Sequence, residues 1–320
     1  MSNYLPSLES IAKGAFASAI GFSSISLGLL YYGQNYLIYP SAFPPGSRTD
    51  VPVPTDYGVP YEDLSLDTSD GVKIRTFLLM QRRNIPQAAD IPNTDDMSDA
   101  DFAARRPTVL MFHGNGGNAG HRIPLAKVFY LKLRCNVLML SYRGYGLSEG
   151  SPSEKGIRID AQTVLDYVTS HPILSRTPIV LYGQSIGGAV AIDLASRNTT
   201  TIRALILENT FLSIPRLIPT ALPLLSPLSF LCHQKWDSAS KVPLLPRDMP
   251  VLTLSGRRDE VVPQAHMIEL EKILRGGAGE GGGGGKLRPG KFVEFYGGAH
   301  NDTCVQPGYW NAVAEFIGSL

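Results

Sequence analysis

Ile179-Val180-Leu181-Tyr182-Gly183-Gln184-Ser185-Ile186-Gly187-Gly188 opens as an apolar run and closes on glycines that lead into a helix-like segment reaching residue 196. A strand that turns at once into a helix holds the intervening serine on a sharp, strained corner, with its hydroxyl exposed and the next backbone N–H free. That is the geometry a nucleophile needs. The pattern G-x-S-x-G at 183–187 is weak by itself, because 32 of the 320 residues are glycine and a second match, Gly146-Leu147-Ser148-Glu149-Gly150, exists. Context separates the two serines. The apolar run before Ser148 ends at residue 141 and no helix starts before Pro152-Ser153-Glu154, so Ser148 reads as a loop residue and Ser185 keeps the corner.

Around Ser185 the same alternation repeats. Strand-like runs at 109–112, 137–141, 179–182 and 202–207 alternate with helix-like segments at 122–133, 154–169 and 188–196. Such alternation specifies a mostly parallel sheet with helices on both faces. Upstream, 61–66 and 72–80 read as two strands joined through Asp70-Gly71, a hairpin signal. Downstream, a strand at 251–254, a helix at 263–274 and a strand at 292–296 complete an eight-stranded α/β fold over residues 58–320. Within it, 83–106 is polar and acidic with two prolines and reads as an exposed insertion, and 276–290 reads as a flexible Gly-rich loop. In the stretch 210–249 there is no charge between Arg216 and His233, and Pro215, Pro219, Pro223 and Pro227 recur every four residues. Prolines at that spacing break a continuous helix, so a short apolar lid is expected there rather than a second membrane span.

Residues 1–57 differ in character. From Gly14 to Ser47 there is no charge, and the apolar part, 15–32, would extend about 27 Å as a helix, close to the bilayer core of about 30 Å. A single-pass membrane anchor is expected, followed by a Pro-rich spacer at 40–60. A cleaved signal peptide fits less well, because Tyr31-Tyr32 follows the apolar run where a small-residue cleavage site would be needed, and the pair suits an interfacial anchor. Lys13 and Arg48 nearly balance and leave the orientation open, with the endoplasmic reticulum or the plasma membrane as the expected location. The net charge of +1 without a basic stripe gives no footprint for nucleic acid. Cys135, Cys232 and Cys304 are odd in number and lack C-x-x-C spacing, which argues for buried thiols rather than disulfides or a zinc site.

A serine nucleophile needs a histidine to accept its proton and a carboxylate to orient that histidine, in the chain order Ser, Asp or Glu, His. Asp259 and His300 fit. Each follows a late strand by a few residues and so falls at the C-terminal edge of the sheet, where open α/β sheets gather their chemistry. Glu208, at a strand end, reads as packing or turn support, and Glu260 as pointing elsewhere. His121, His171, His233 and His266 read as solvated or structural. The loop His113-Gly114-Asn115-Gly116-Gly117-Asn118 stands directly after a buried strand, the position that supplies an oxyanion-hole N–H. Asn115 is the expected donor there and Ile186 the second, each contributing about 3 kcal/mol to a transition state. His113 is expected to shape the loop. The same loop also matches the dinucleotide fingerprint G-x-G-x-x-G/A, but Ser141-Tyr142-Arg143 stands where the ribose-binding acid belongs, which leaves a dinucleotide-dependent oxidoreductase as a remote alternative. No metal or nucleotide is expected to be required.

Several separated motifs recur together: His113-Gly114-Asn115, Tyr142-Arg143-Gly144-Tyr145-Gly146, Gly183 to Gly188, Glu208-Asn209-Thr210-Phe211, Asp259-Glu260-Val261-Val262-Pro263 and His300-Asn301-Asp302-Thr303. In them the chain resembles the α/β-hydrolase superfamily, and within it the membrane-anchored fungal bud-emergence (Bem forty-six) family with its animal α/β-hydrolase-domain relatives. The resemblance implies a serine hydrolase with Ser185, Asp259 and His300 as its triad, an N-terminal anchor, and lipid esters or acyl thioesters as substrates. The insertion and the Gly-rich run depart from the family pattern. A catalytically silent membrane scaffold is the alternative of a different class. Asn198-Thr199-Thr200 and Asn301-Asp302-Thr303 are glycosylation sequons, and a glycan on Asn301 would obstruct His300.

Overall fold

The computed structural model describes residues 7–86, 88–91, 96–276 and 288–320. Its strands are β1 (Glu62–Asp67), β2 (Lys73–Leu79), β3 (Thr108–Phe112), β4 (Asn136–Ser141), β5 (Ile179–Gln184), β6 (Ile202–Glu208), β7 (Val251–Gly256) and β8 (Gly290–Phe295). They form one eight-stranded sheet in the order β1-β2-β4-β3-β5-β6-β7-β8. β2 runs antiparallel to both β1 and β4, and every other pairing is parallel. All eight expected strands are present, most of them a residue or two longer than the apolar runs that announced them.

The helices are α1 (Leu8–Ile38), α2 (Asp99–Ala104), α3 (Ile123–Leu131), α4 (Glu154–Ser170), α5 (Ile186–Arg197), α6 (Ile214–Ala221), α7 (Ser238–Lys241), α8 (Ala265–Leu274) and α9 (Tyr309–Gly318). Because side chains alternate across a strand, β3 sends Leu110 and Phe112 to one face and Val109 and Met111 to the other. The first face packs against α4, α5 and α8, the second against α3 and α9. Parallel strands covered on both faces read as continuous apolar runs, which is why β3, β4, β5 and β7 are buried from end to end. Cys135, Cys232 and Cys304 are buried free thiols.

Three segments differ from expectation. Not all of 83–106 is exposed: Ser98 caps α2, which buries Phe102 beneath the guanidinium of Arg134, 4.9 Å from the ring centroid. Helix α9 lies beyond the last expected element and begins after Gly308 without a side-chain cap, so it carries no start signal. The stretch after α1, expected as a spacer, packs on the domain. Tyr39 is buried, its hydroxyl donating to Gln234 Oε1 at 3.1 Å and accepting from Trp236 Nε1 at 2.9 Å. Asn118 Nδ2 ties Ser47 O and Asp50 O, each at 3.0 Å. Of the Gly-rich run at 276–290, residues 277–287 lie outside the described residues.

Among the described residues α1 is the one helix long and apolar enough to cross a membrane. Its 31 residues extend about 46 Å, longer than a bilayer core of about 30 Å, and its C-terminal turns reach the domain. Gln34 is buried there: its Nε2 donates to Leu231 O at 3.4 Å, and its Oε1 accepts from His233 N at 2.9 Å and Gln234 N at 3.3 Å.

Candidate active site

Ser185 sits between β5 and α5 with φ 56° and ψ −122°, a left-handed backbone that a residue with a Cβ adopts at a cost of about 1–3 kcal/mol. The glycines around it explain how the corner is held. A Cβ on Gly183 would lie 2.2 Å from Gly187 O, one on Gly187 would lie 2.0 Å from Phe112 O, and one on Gly188 would lie 2.6 Å from Thr210 Cβ. Backbone therefore closes on backbone at Gly183 and Gly187, and on the Thr210 side chain at Gly188. Ser185 N donates to Glu208 O at 2.9 Å, and Thr210 Oγ1 donates to Ser185 O at 2.7 Å. Ser148, the rival serine, is buried in a turn, where its hydroxyl donates to Ser141 O at 2.7 Å and accepts from Arg75 N at 2.9 Å.

His300 Nδ1 lies 2.8 Å from Oδ2 of Asp259. Oδ1 of Asp259 accepts the backbone N–H groups of Val261 and Val262, at 2.9 and 2.7 Å. Glu260 does not point elsewhere: it accepts the backbone N–H of His300 at 3.2 Å. Ser185 and His300 both line one cavity of about 600 Å3 above the C-terminal edge of the sheet, and Ser185 Oγ has no hydrogen-bond partner among the described residues. Asn115 and Ile186 line the same cavity, and their backbone N–H groups have no acceptor among the described residues. The side chain of Asn115 is occupied, donating to Ile38 O and accepting from Tyr145 Oη at 2.7 Å. Its backbone is what remains for a ligand.

His113 stacks on Tyr142, with ring centroids 4.3 Å apart, and burial pushes its pKa down to about 3. It shapes the loop as a neutral ring. Gly117 N in the same loop donates to Phe43 O at 2.8 Å, so one donor a pyrophosphate would use is taken by the chain itself. Arg143, the candidate for a nucleotide 2′-phosphate, is enclosed by Asp160 at 2.9 Å and Asp70 at 2.7 Å. The dinucleotide reading therefore loses both of its supports. Among the described residues no group of three His, Cys, Asp or Glu side chains could hold a metal ion.

The motif Glu208-Asn209-Thr210-Phe211 holds the site together in ways its sequence does not reveal. Glu208 is buried, accepting from Tyr182 Oη at 2.6 Å and Tyr309 Oη at 2.5 Å, and burial raises its pKa. Asn209, at φ 44°, accepts from Gly256 N at 2.8 Å while its Nδ2 donates to Ala299 O and His300 O, each at 3.3 Å. It thus joins the end of β7 to the loop of His300. Phe211 lines the cavity with Ile214, Leu217 and Ile218 of α6. Leu37 and Ile38 of α1 and Pro40, Phe43 and Pro44 of the supposed spacer line it too, a contribution the sequence did not reveal. His121 and Arg122 also line the cavity; neither is marked by a motif position. Asn301, the second sequon, is exposed at its rim, whereas Asn198 is tied to Gln162 and Leu194 at 2.9 Å.

Comparison with known proteins agrees with this architecture. A family profile for the α/β-hydrolase fold matches residues 107–228. Protein bem46 of Schizosaccharomyces pombe is 44% identical over 308 residues, covering 96% of this chain and 93% of the relative. The Saccharomyces cerevisiae membrane protein YNL320W is 37% identical, covering 97% of this chain and 98% of the relative. Among solved structures, the Pyrococcus furiosus esterase Pf2001 superposes with a TM-score of 0.61 at 18% identity, covering 85% of this chain and 96% of that one, a likeness of fold. With a relative this similar across nearly its whole length, the chain belongs to the Bem46 family of α/β-hydrolase-fold proteins.

Proposed function

We propose that this protein is a membrane-anchored serine hydrolase that cleaves carboxylic ester or acyl-thioester bonds, with Ser185 as nucleophile, His300 as base and Asp259 as its orienting acid. The observation that carries the reading is the 2.8 Å contact between His300 Nδ1 and Asp259, with His300 and Ser185 lining one cavity. A carboxylate on Nδ1 fixes the tautomer that leaves Nε2 free to accept a proton. Ser185 Oγ bonds to the carbonyl carbon as His300 takes its proton; the collapsing intermediate releases an alcohol or thiol, which carries that proton away. Water then adds to the acyl-serine, gives its proton to His300, and the carboxylic acid leaves as Ser185 is reprotonated. The backbone N–H groups of Asn115 and Ile186 stabilise the oxyanion in both halves. Helix α1 keeps the enzyme at a membrane.

The test is labelling of the full-length protein by a fluorophosphonate probe, compared with Ser185→Ala. The wild type labels and the variant does not. Equal labelling of both would rule out Ser185 as nucleophile, and a wild type that neither labels nor hydrolyses any ester would favour a scaffold with the hydrolase fold.

A further inference from the structure

Two apolar spaces meet at the C-terminal end of α1. One is the cavity of Ser185; the other is a narrow groove of about 50 Å3 walled by Leu30 and Gln34 of α1 and by Leu225, Leu228 and Leu231 of the lid. They share Leu37, Ile38, Ile218 and Leu222, so the groove continues the cavity toward the middle of α1. The buried Gln34 fixes this arrangement, since its three hydrogen bonds to Leu231, His233 and Gln234 fasten the lid to the helix. Residues 217–232 carry no charge, and on the outer side of the lid Leu224 is 95% and Phe230 77% exposed.

The position of the groove along α1 gives it a direction. The apolar run of the helix ends at residue 32, beside Tyr31 and Tyr32, residues suited to the edge of a bilayer. From Leu30 to Ile38 the helix rises about 12 Å, whereas the headgroup layer on one side of a bilayer is about 5–8 Å thick. The groove therefore reaches from the level of the hydrocarbon, past the headgroups, to the cavity of Ser185. A chain drawn out of the bilayer without such a path would expose methylenes to water, and each one exposed weakens binding about fourfold.

We propose that the groove between α1 and the lid is the passage by which the acyl chain of an ester or thioester that stays in the bilayer reaches the cavity of Ser185, entering sideways from the leaflet in which Leu224 and Phe230 sit. The inference rests on the serine-hydrolase reading and adds to it a substrate class and a route. It also gives α1 a part in substrate binding besides tethering.

The experiment uses the full chain in phosphatidylcholine vesicles with 4-methylumbelliferyl palmitate and acetate as probes. Leu225→Trp and Leu228→Trp fill the groove from its lid side, at positions outside the cavity wall. The ratio of kcat/KM for palmitate over acetate is expected to fall tenfold or more in each. A ratio within twofold of wild type in both tryptophan variants would overturn the proposal. If neither variant folds, the wild type decides: preference for palmitate by tenfold or more supports the groove, and equal turnover overturns it. Fluorophosphonate labelling separates the two readings. A wild type that labels but ignores chain length fails the groove alone, and one that does not label fails the hydrolase reading and the groove with it.

Discussion

Asp259 divides its carboxylate between two tasks: Oδ2 meets His300 Nδ1 at 2.8 Å, while Oδ1 accepts the N–H groups of Val261 and Val262. The bonds to Oδ1 fix the carboxylate, and the fixed carboxylate aims the imidazole. Because β7 and β8 are paired in parallel, their following loops emerge side by side, which is how residues 41 apart in sequence meet.

Replacing Asp259 by Asn keeps an oxygen for the two N–H groups but offers His300 an amide in place of a charge. The imidazole then favours the wrong tautomer, and kcat for ester hydrolysis should fall about 10⁴-fold. Glu260→Gln, which touches only the backbone of His300, should cost far less. Steady-state rates of the two variants check this; a similar loss in both would assign the acid role to the pair rather than to Asp259.

Asn115 is held by its side chain, and its backbone N–H has no acceptor among the described residues. Asn115→Ala releases that hold and should lower kcat by about 10²-fold, the scale of a lost oxyanion donor, with KM little changed. Tyr145→Phe removes only the 2.7 Å bond to Asn115 Oδ1 and should lower kcat less. A drop confined to KM would place Asn115 in ground-state binding instead.

The eight strands and the Ser185 corner were legible because both are written locally, in apolar runs and in glycines whose absent Cβ atoms let backbone meet backbone. The placement of Asp259 and His300 at one edge of the sheet was legible through chain order and strand ends. What was hidden depends on contacts far apart in sequence: Gln34 reaches Leu231 across 197 positions and Asn115 reaches Ile38 across 77. The wall at 37–44 and the role of Asn209 were hidden for the same reason. A short polar side chain such as Asn carries no periodicity, and its value lies wholly in which loops it joins.

Arg143 lies between Asp160, fully buried, and Asp70, partly exposed. Burial pushes the pKa of Asp160 up to about 6 even with Arg143 beside it, so the carboxylate depends on that partner. Arg143→Met leaves it unpaired and should cost about 3–5 kcal/mol of stability in urea unfolding. Adding Asp160→Leu to the same protein should recover much of the loss, since an apolar side chain needs no counter-charge; no recovery would mean that Arg143 acts through packing alone.

His113 gives the domain a pH dependence of predictable sign. Burial holds its folded pKa near 3, below the unfolded value of 6.5, with Nε2 buried and without a partner among the described residues. Between those limits the unfolded chain binds a proton that the folded chain does not. Stability from this group is therefore complete above pH 6.5 and lost as pH falls toward 3, at about 1.4 kcal/mol per pH unit. The buried Glu208, whose raised pKa acts in the opposite direction, is common to wild type and variant and cancels in their difference. His113→Gln should consequently be less stable than wild type at neutral pH but lose stability more slowly on acidification, the two slopes differing by about 1.4 kcal/mol per unit between pH 6 and 4. Urea unfolding at a series of pH values measures both slopes, and parallel lines would show that His113 takes up its proton without unfolding.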